Sequence, residues 1–86
     1  MKIDPRIIRD IEVEIARSEE QHPNYPVDPL RRTAIMCEEA GEALQTALDL
    51  TNWHRATPKS GTRLRYEVLQ TAAMAIKLLQ AMDEES

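Results

Sequence analysis

Apolar residues recur along this chain at helical spacing, in three runs separated by two breaks. In the first run Ile8, Ile11 and Ile15 stand at i, i+3 and i+7 with Ile7 beside them, and Arg9, Asp10, Glu12, Arg17 and Glu20 take the remaining surface. The second run gathers Leu30, Cys37, Ala40, Leu44, Ala47 and Leu48 on one side. The third has a broad arc: Leu64, Val68, Ala75, Leu78, Leu79 and Met82 cover one side, and Leu69, Ala72 and Ile76 widen it beyond what one neighbouring helix buries. Asp4-Pro5 and Asp28-Pro29 are matching helix starts, because Asp accepts an orphan amide bond as N-cap and Pro at the first helical position loses nothing. The pattern therefore predicts one helix from Pro5, a second from Pro29 to Asn52 and a third from Thr62 to Met82.

Between the first two helices, Pro23 and Pro26 force an extended turn that should lodge Tyr25 against the end of the helices. Ala34, Ala40, Gly41, Ala43 and Ala47 permit close approach, so the second helix reads as central; Gly41 costs about 1 kcal/mol against Ala and needs close packing or a ligand to justify it. Trp53 and His54 follow, placed to cap the core or, second, to stack on a base. Acidic Asp83, Glu84 and Glu85 oppose the helix macrodipole, so the last residues, through Ser86, should fray.

Composition narrows the classes. A chain of 86 residues is one domain, 1–86, and buries only about 60% of its extended-chain surface, so help from self-association is expected, with Leu69, Ala72 and Ile76 at the interface. The lone Cys37 rules out an intrachain disulfide and suggests a reduced, cytoplasmic setting. The first residues lack the apolar core of a signal peptide, and the longest apolar run, Ala72 to Ile76, is too short to span a bilayer, so no membrane partner is expected. Net charge is −4 with no basic cluster beyond Arg31-Arg32, which argues against a nucleic-acid polymer and leaves single nucleotides carried with Mg²⁺.

The chemistry concentrates in Glu38-Glu39-Ala40-Gly41-Glu42. Glu39 and Glu42 lie at i and i+3, where both carboxylates reach one point in space, as a hard cation requires. For an arbitrary Glu-x-x-Glu a solvated acidic face is the commoner explanation, so a second half-site is needed. The third helix supplies a polar row of Arg63, Glu67, Gln70, Met74 and Lys77 at i, i+4, i+7, i+11 and i+14. If the second and third helices pack antiparallel, Glu39, Glu42 and Glu67 face one pocket. Carboxylates holding Mg²⁺, with Arg63 and Lys77 balancing charge, form the apparatus of phosphoryl chemistry. On the second and third helices no His follows a Glu by three residues, and no Gly-rich loop, Gly-x-Ser-x-Gly or Cys-x-x-Cys competes.

These residues, with Arg65-Tyr66-Glu67-Val68-Leu69-Gln70-Thr71-Ala72-Ala73-Met74-Ala75, resemble the MazG-like all-α nucleoside triphosphate pyrophosphohydrolases, marked by Glu-x-x-Glu on one helix and Glu-x-x-Asp on the next. The resemblance covers about half of the chain. It implies an antiparallel four-helix-bundle core completed by oligomerisation into a dimer or tetramer, and cleavage of an NTP or dNTP to the monophosphate and pyrophosphate with Mg²⁺ or Mn²⁺. Glu39, Glu42 and Glu67 would be metal ligands and Glu38 a base orienting water or a surface carboxylate. Arg63 and Lys77 would touch phosphates or serve as salt-bridge partners. Gln70 stands where the family has Asp, removing one negative charge, so the alternative is a non-catalytic helical homo-oligomeric interaction or regulatory module.

Overall fold

The computed structural model describes residues 1–52, 56–57 and 59–85, which form three α-helices and no strand: α1 (Pro5–Gln21), α2 (Pro29–Thr51) and α3 (Ser60–Glu85). Trp53 and His54 lie outside the described residues. Both start signals act as read. The Asp4 carboxylate accepts from the Arg6 amide at 2.8 Å and Asp28 from the Leu30 amide at 3.0 Å, each followed by Pro in the first turn. Asn52 closes α2 as its C-cap, and α3 begins two residues earlier than expected. No helix among the described residues is long and apolar enough to cross a membrane.

The helix in the middle is α3. It packs against both α1 and α2, which do not pack against each other, so the central role expected of α2 falls to its neighbour. The reason lies in which face turns inward. Among the described residues the buried apolar side chains are Ala73 and Met74, whereas Glu14, Ser18, Arg32, Thr46, Ser60 and Glu67 are all buried. Polar groups thus hold the space between the helices. The side of α2 expected to be core, from Leu30 through Cys37 and Leu44 to Leu48, is exposed instead. On α3 the wide arc is divided: Val68, Leu79 and Met82 are exposed, while Leu64, Ala75 and Leu78, with Leu69, Ala72 and Ile76, are half-buried within the protomer.

One cation ties the far end together. Arg32 is only 6% exposed; its Nε donates to the Pro26 carbonyl and its Nη2 to Glu85 at 3.0 Å. Its guanidinium also lies 5.1 Å from the centre of the Tyr25 ring, with Lys77 Nζ 4.3 Å from the same ring. Tyr25 is half-buried there, as the turn predicted. This ion pair also corrects the expectation of a frayed tail: Arg32 supplies the positive partner that the acidic end lacks in its own sequence, and α3 stays helical through Glu85. Ser86 lies outside the described residues. Replacing Arg32 by Met should remove both hydrogen bonds and lower stability by about 1–3 kcal/mol, while speeding hydrogen exchange of the last turn of α3. Chemical denaturation with amide exchange checks it; a variant as stable as the wild type, with an unchanged last turn, would refute the role.

Candidate functional site: an acidic interior between the helices

Each helix sends one polar row inward. From α3 come Glu67, 5% exposed, and half-buried Gln70, spaced as one turn of helix requires. From α2 comes half-buried Glu39, on the same inward face as Arg32 and Thr46 seven residues to either side. From α1 come Glu14, 6% exposed, and Arg17.

Arg17 and Gln70 join the three rows. The Arg17 guanidinium donates to both Glu14 oxygens, at 2.5 and 3.0 Å, and to Gln21 at 2.6 Å, while stacking 5.5 Å from the centre of the Tyr66 ring. With its amide nitrogen turned to Glu39 and its oxygen to Arg17, Gln70 donates to Glu39 Oε2 at 3.3 Å and accepts from Arg17 Nη2 at 3.3 Å. Gln70 is therefore a bridge between α1 and α2. An Asp in its place could accept from Arg17 but could not donate to Glu39.

Two groups remain electrostatically unsatisfied. Glu67 Oε1 is buried with no hydrogen-bond partner, and the nearest cation, Arg63, stands 3.8 Å from the other oxygen on an exposed stem. Burial raises the pKa of Glu39 above the usual carboxylate range, and its like-charged neighbours Glu42, Glu14 and Glu38 raise it further against the opposing pull of Arg17.

Of the sequence-predicted residues, Glu39, Glu67 and Gln70 do line the interior. Glu38 and Glu42 sit on exposed flanks of α2. Lys77 lies with Nζ 3.4 Å from Ser18 Oγ and over Tyr25, and Arg63 pairs with Glu67, the salt-bridge role weighed for it. Glu14 was missed and Arg17 was assigned to the surface. Their signal is visible in retrospect: Glu14, Arg17, Ser18 and Gln21 fall at i, i+3, i+4 and i+7, an inward-facing spacing filled with polar residues.

Carboxylate oxygens suit a hard divalent cation, and a buried carboxylate oxygen without a donor lacks what such a cation supplies. The donor type fits. The gathering is not made, however: among the described residues no three His, Cys, Asp or Glu side chains stand close enough to hold a metal ion. Of two clefts between the helices, only the smaller includes a carboxylate of this interior, Glu39, in its lining. The larger, of about 740 Å³, is lined by Thr46, Asp49, Lys59, Ser60, Arg63 and Tyr66; the smaller, of about 360 Å³, by Tyr25, Glu38, Glu39, Met74 and Lys77. Each places cations beside acidic residues. No family model, curated protein or solved structure matches the chain.

The raised Glu39 pKa fixes a sign. A carboxyl whose folded pKa exceeds its unfolded value binds its proton more tightly when folded, so it adds stability as pH falls from neutral toward the carboxylate range and withdraws it as pH rises. Glu39→Gln should raise the metal-free melting temperature at pH 7 and flatten its rise on acidification to pH 5. Melting curves at half-unit pH steps test this; parallel curves for the two proteins would show that Glu39 carries no strain.

Proposed function

We propose that this chain is a Mg²⁺-dependent nucleotide pyrophosphohydrolase of the MazG-like kind, cleaving an NTP or dNTP to the monophosphate and pyrophosphate and working as a homo-oligomer. The observation that carries the reading is the buried, unpartnered Oε1 of Glu67 in an interior where burial and like charges already weigh on Glu39. Glu39, Glu42 and Glu67 would hold the cation, two from α2 and one from α3. When bound, Mg²⁺ supplies a counter-charge for the phosphates and polarises a water. Glu38, exposed beside the Glu39 cleft, would be the residue to orient a water there and accept its proton. Arg63 and Lys59 on the larger cleft, with Lys77 on the smaller, set positive charge where phosphate oxygens would lie. The larger cleft is within the size range of small-molecule sites, about 300–1,000 Å³.

A second reading is favoured by Gln70. Its amide satisfies Glu39 and Arg17 without any metal, as an interior rebuilt for structure alone would. On that reading the chain is a non-catalytic helical interaction or regulatory module.

Two measurements separate them. Mg²⁺ or Mn²⁺ should raise the wild-type melting temperature by linkage, and Glu42→Gln, which alters an exposed residue and leaves the fold alone, should remove most of the gain. An unchanged metal response in Glu42→Gln would reduce the carboxylates to a solvated face. Gln70→Asp is the sharper test. In the enzyme it restores one negative charge beside the metal site, so Mg²⁺ should bind more tightly and pyrophosphate release should rise modestly from at least one nucleotide, although metal-free stability falls as the bond to Glu39 is lost. Destabilisation that Mg²⁺ cannot rescue, with no turnover in either protein across a nucleotide panel, would refute the enzyme.

A further inference from the structure

The chain exposes 6716 Å², whereas a folded monomer of its mass is expected to expose about 5,200 Å². The excess is about 1,500 Å², inside the range of about 1,000–2,500 Å² that each partner buries in an obligate homodimer. The radius of gyration agrees: 14.4 Å against about 12 Å for a compact domain of this length. The protomer is more open than a self-sufficient domain.

On α2 the outward face reads Leu30, Ala34, Cys37, Gly41, Leu44 and Leu48, at i, i+4, i+7, i+11, i+14 and i+18. This is the alternating four-and-three spacing of a coiled-coil seam, sustained over nearly three heptads. Every one of the six is exposed, with Leu30 at 75%, Leu44 at 61% and Leu48 at 54%. Directly opposite, on the face toward α3, stand Arg32, Glu39 and Thr46. Gly41 adds an independent observation. A Cβ built there meets nothing within 4 Å, so packing inside the protomer does not require glycine, although glycine in mid-helix costs about 1 kcal/mol. What needs the space lies outside the protomer.

The geometry points to α2 pairing antiparallel with α2 of a second copy of this chain, about a two-fold axis beside Glu39. The seam is self-complementary in that direction. Leu30 meets the copy's Leu48, Ala34 meets Leu44 and Cys37 meets Gly41, which are the mixed layers that antiparallel helices form. Small residues face large ones at Ala34, and the backbones approach most closely at the Gly41 layer. A parallel pairing would instead stack three consecutive layers of Ala34, Cys37 and Gly41 against themselves and leave voids. Along one rim Thr33, Ala40 and Ala47 are small enough to allow close approach. Along the other, Glu38 meets its own copy, a like-charge pair that is exposed to water, with Arg31 on the same rim one heptad earlier. The pairing stands whether or not the acidic interior hydrolyses a nucleotide, and its tests read mass and crosslinks, not turnover.

Light scattering on the full chain at 10 µM should give a mass of at least two protomers; a 9.8 kDa particle would overturn the pairing. Location is read separately, with substitutions mild enough to leave the helix intact. In a Cys37→Ala background, chains carrying Leu30→Cys and chains carrying Leu48→Cys are mixed and oxidised. Crosslinked 30–48 heterodimers should form within minutes and dominate over both homodimers. Preferential 30–30 and 48–48 homodimers would mean parallel helices, and an oligomer that forms none of these crosslinks would mean that the seam is not the interface; either result overturns the proposal.

Discussion

A carboxylate buried with one oxygen unpartnered is the constraint on which the other features of this protein depend. Glu67 sits in the first third of α3, the helix that packs against both others, and is itself buried. Oε1 is buried with no hydrogen-bond partner, and Arg63 reaches only the other oxygen, at 3.8 Å. Arg17 and Gln70 offset part of the charge by linking Glu14, Glu39 and the three helices into one network. They leave Glu67 out. An interior of this kind is either a site awaiting a cation or a standing loss of stability in a chain whose size leaves little to spare.

Helix positions were legible because they rest on local chemistry. Asp4-Pro5 and Asp28-Pro29 need nothing from the rest of the chain to cap a helix, and both caps stand where the sequence placed them. Helix orientation was less legible. On α2 the apolar face of Leu30, Leu44 and Leu48 seemed the natural core, since burial of apolar surface is the usual driving force. It turned outward because the opposite face carries Arg32, which reaches the Pro26 carbonyl and Glu85, and Thr46, both of which find burial only against α3. Arg32 also explains the intact end of α3, a bond between residues fifty-three apart that no local rule anticipates.

The acidic site was half legible. Glu39, Glu67 and Gln70 share helical spacing and do face inward, but Glu14 and Arg17 belong to a helix whose isoleucines seemed to account for its buried side. Ile8 is exposed and Ile11 and Ile15 only half-buried, since α1 rotates to bring Glu14 and Ser18 under α3. The spacing of polar residues carried that information, yet the same spacing describes any solvated face, and only the third helix decides between the two.

The inward charge and the outward leucines are one fact seen from two sides. A helix of 3.6 residues per turn that commits one stripe to a polar interior must carry its apolar residues on the opposite stripe, so α2 cannot bring Glu39 to Gln70 without presenting Leu44 and Leu48 to the outside. A chain built this way gains little hydrophobic stabilisation from its own fold: its buried apolar side chains among the described residues are one alanine and one methionine. If a second copy covers the outward face as proposed, that cover adds the missing stabilisation and couples assembly to the interior mechanically as well as energetically. In that assembly α2 would be the shared wall, and its rotation about its own axis would set both the seam register and the distance of Glu39 from Gln70. A turn of one residue, about 100°, would carry Leu44 off the seam and Glu39 off the network together. Fixing α2 from outside therefore fixes the acidic interior from within.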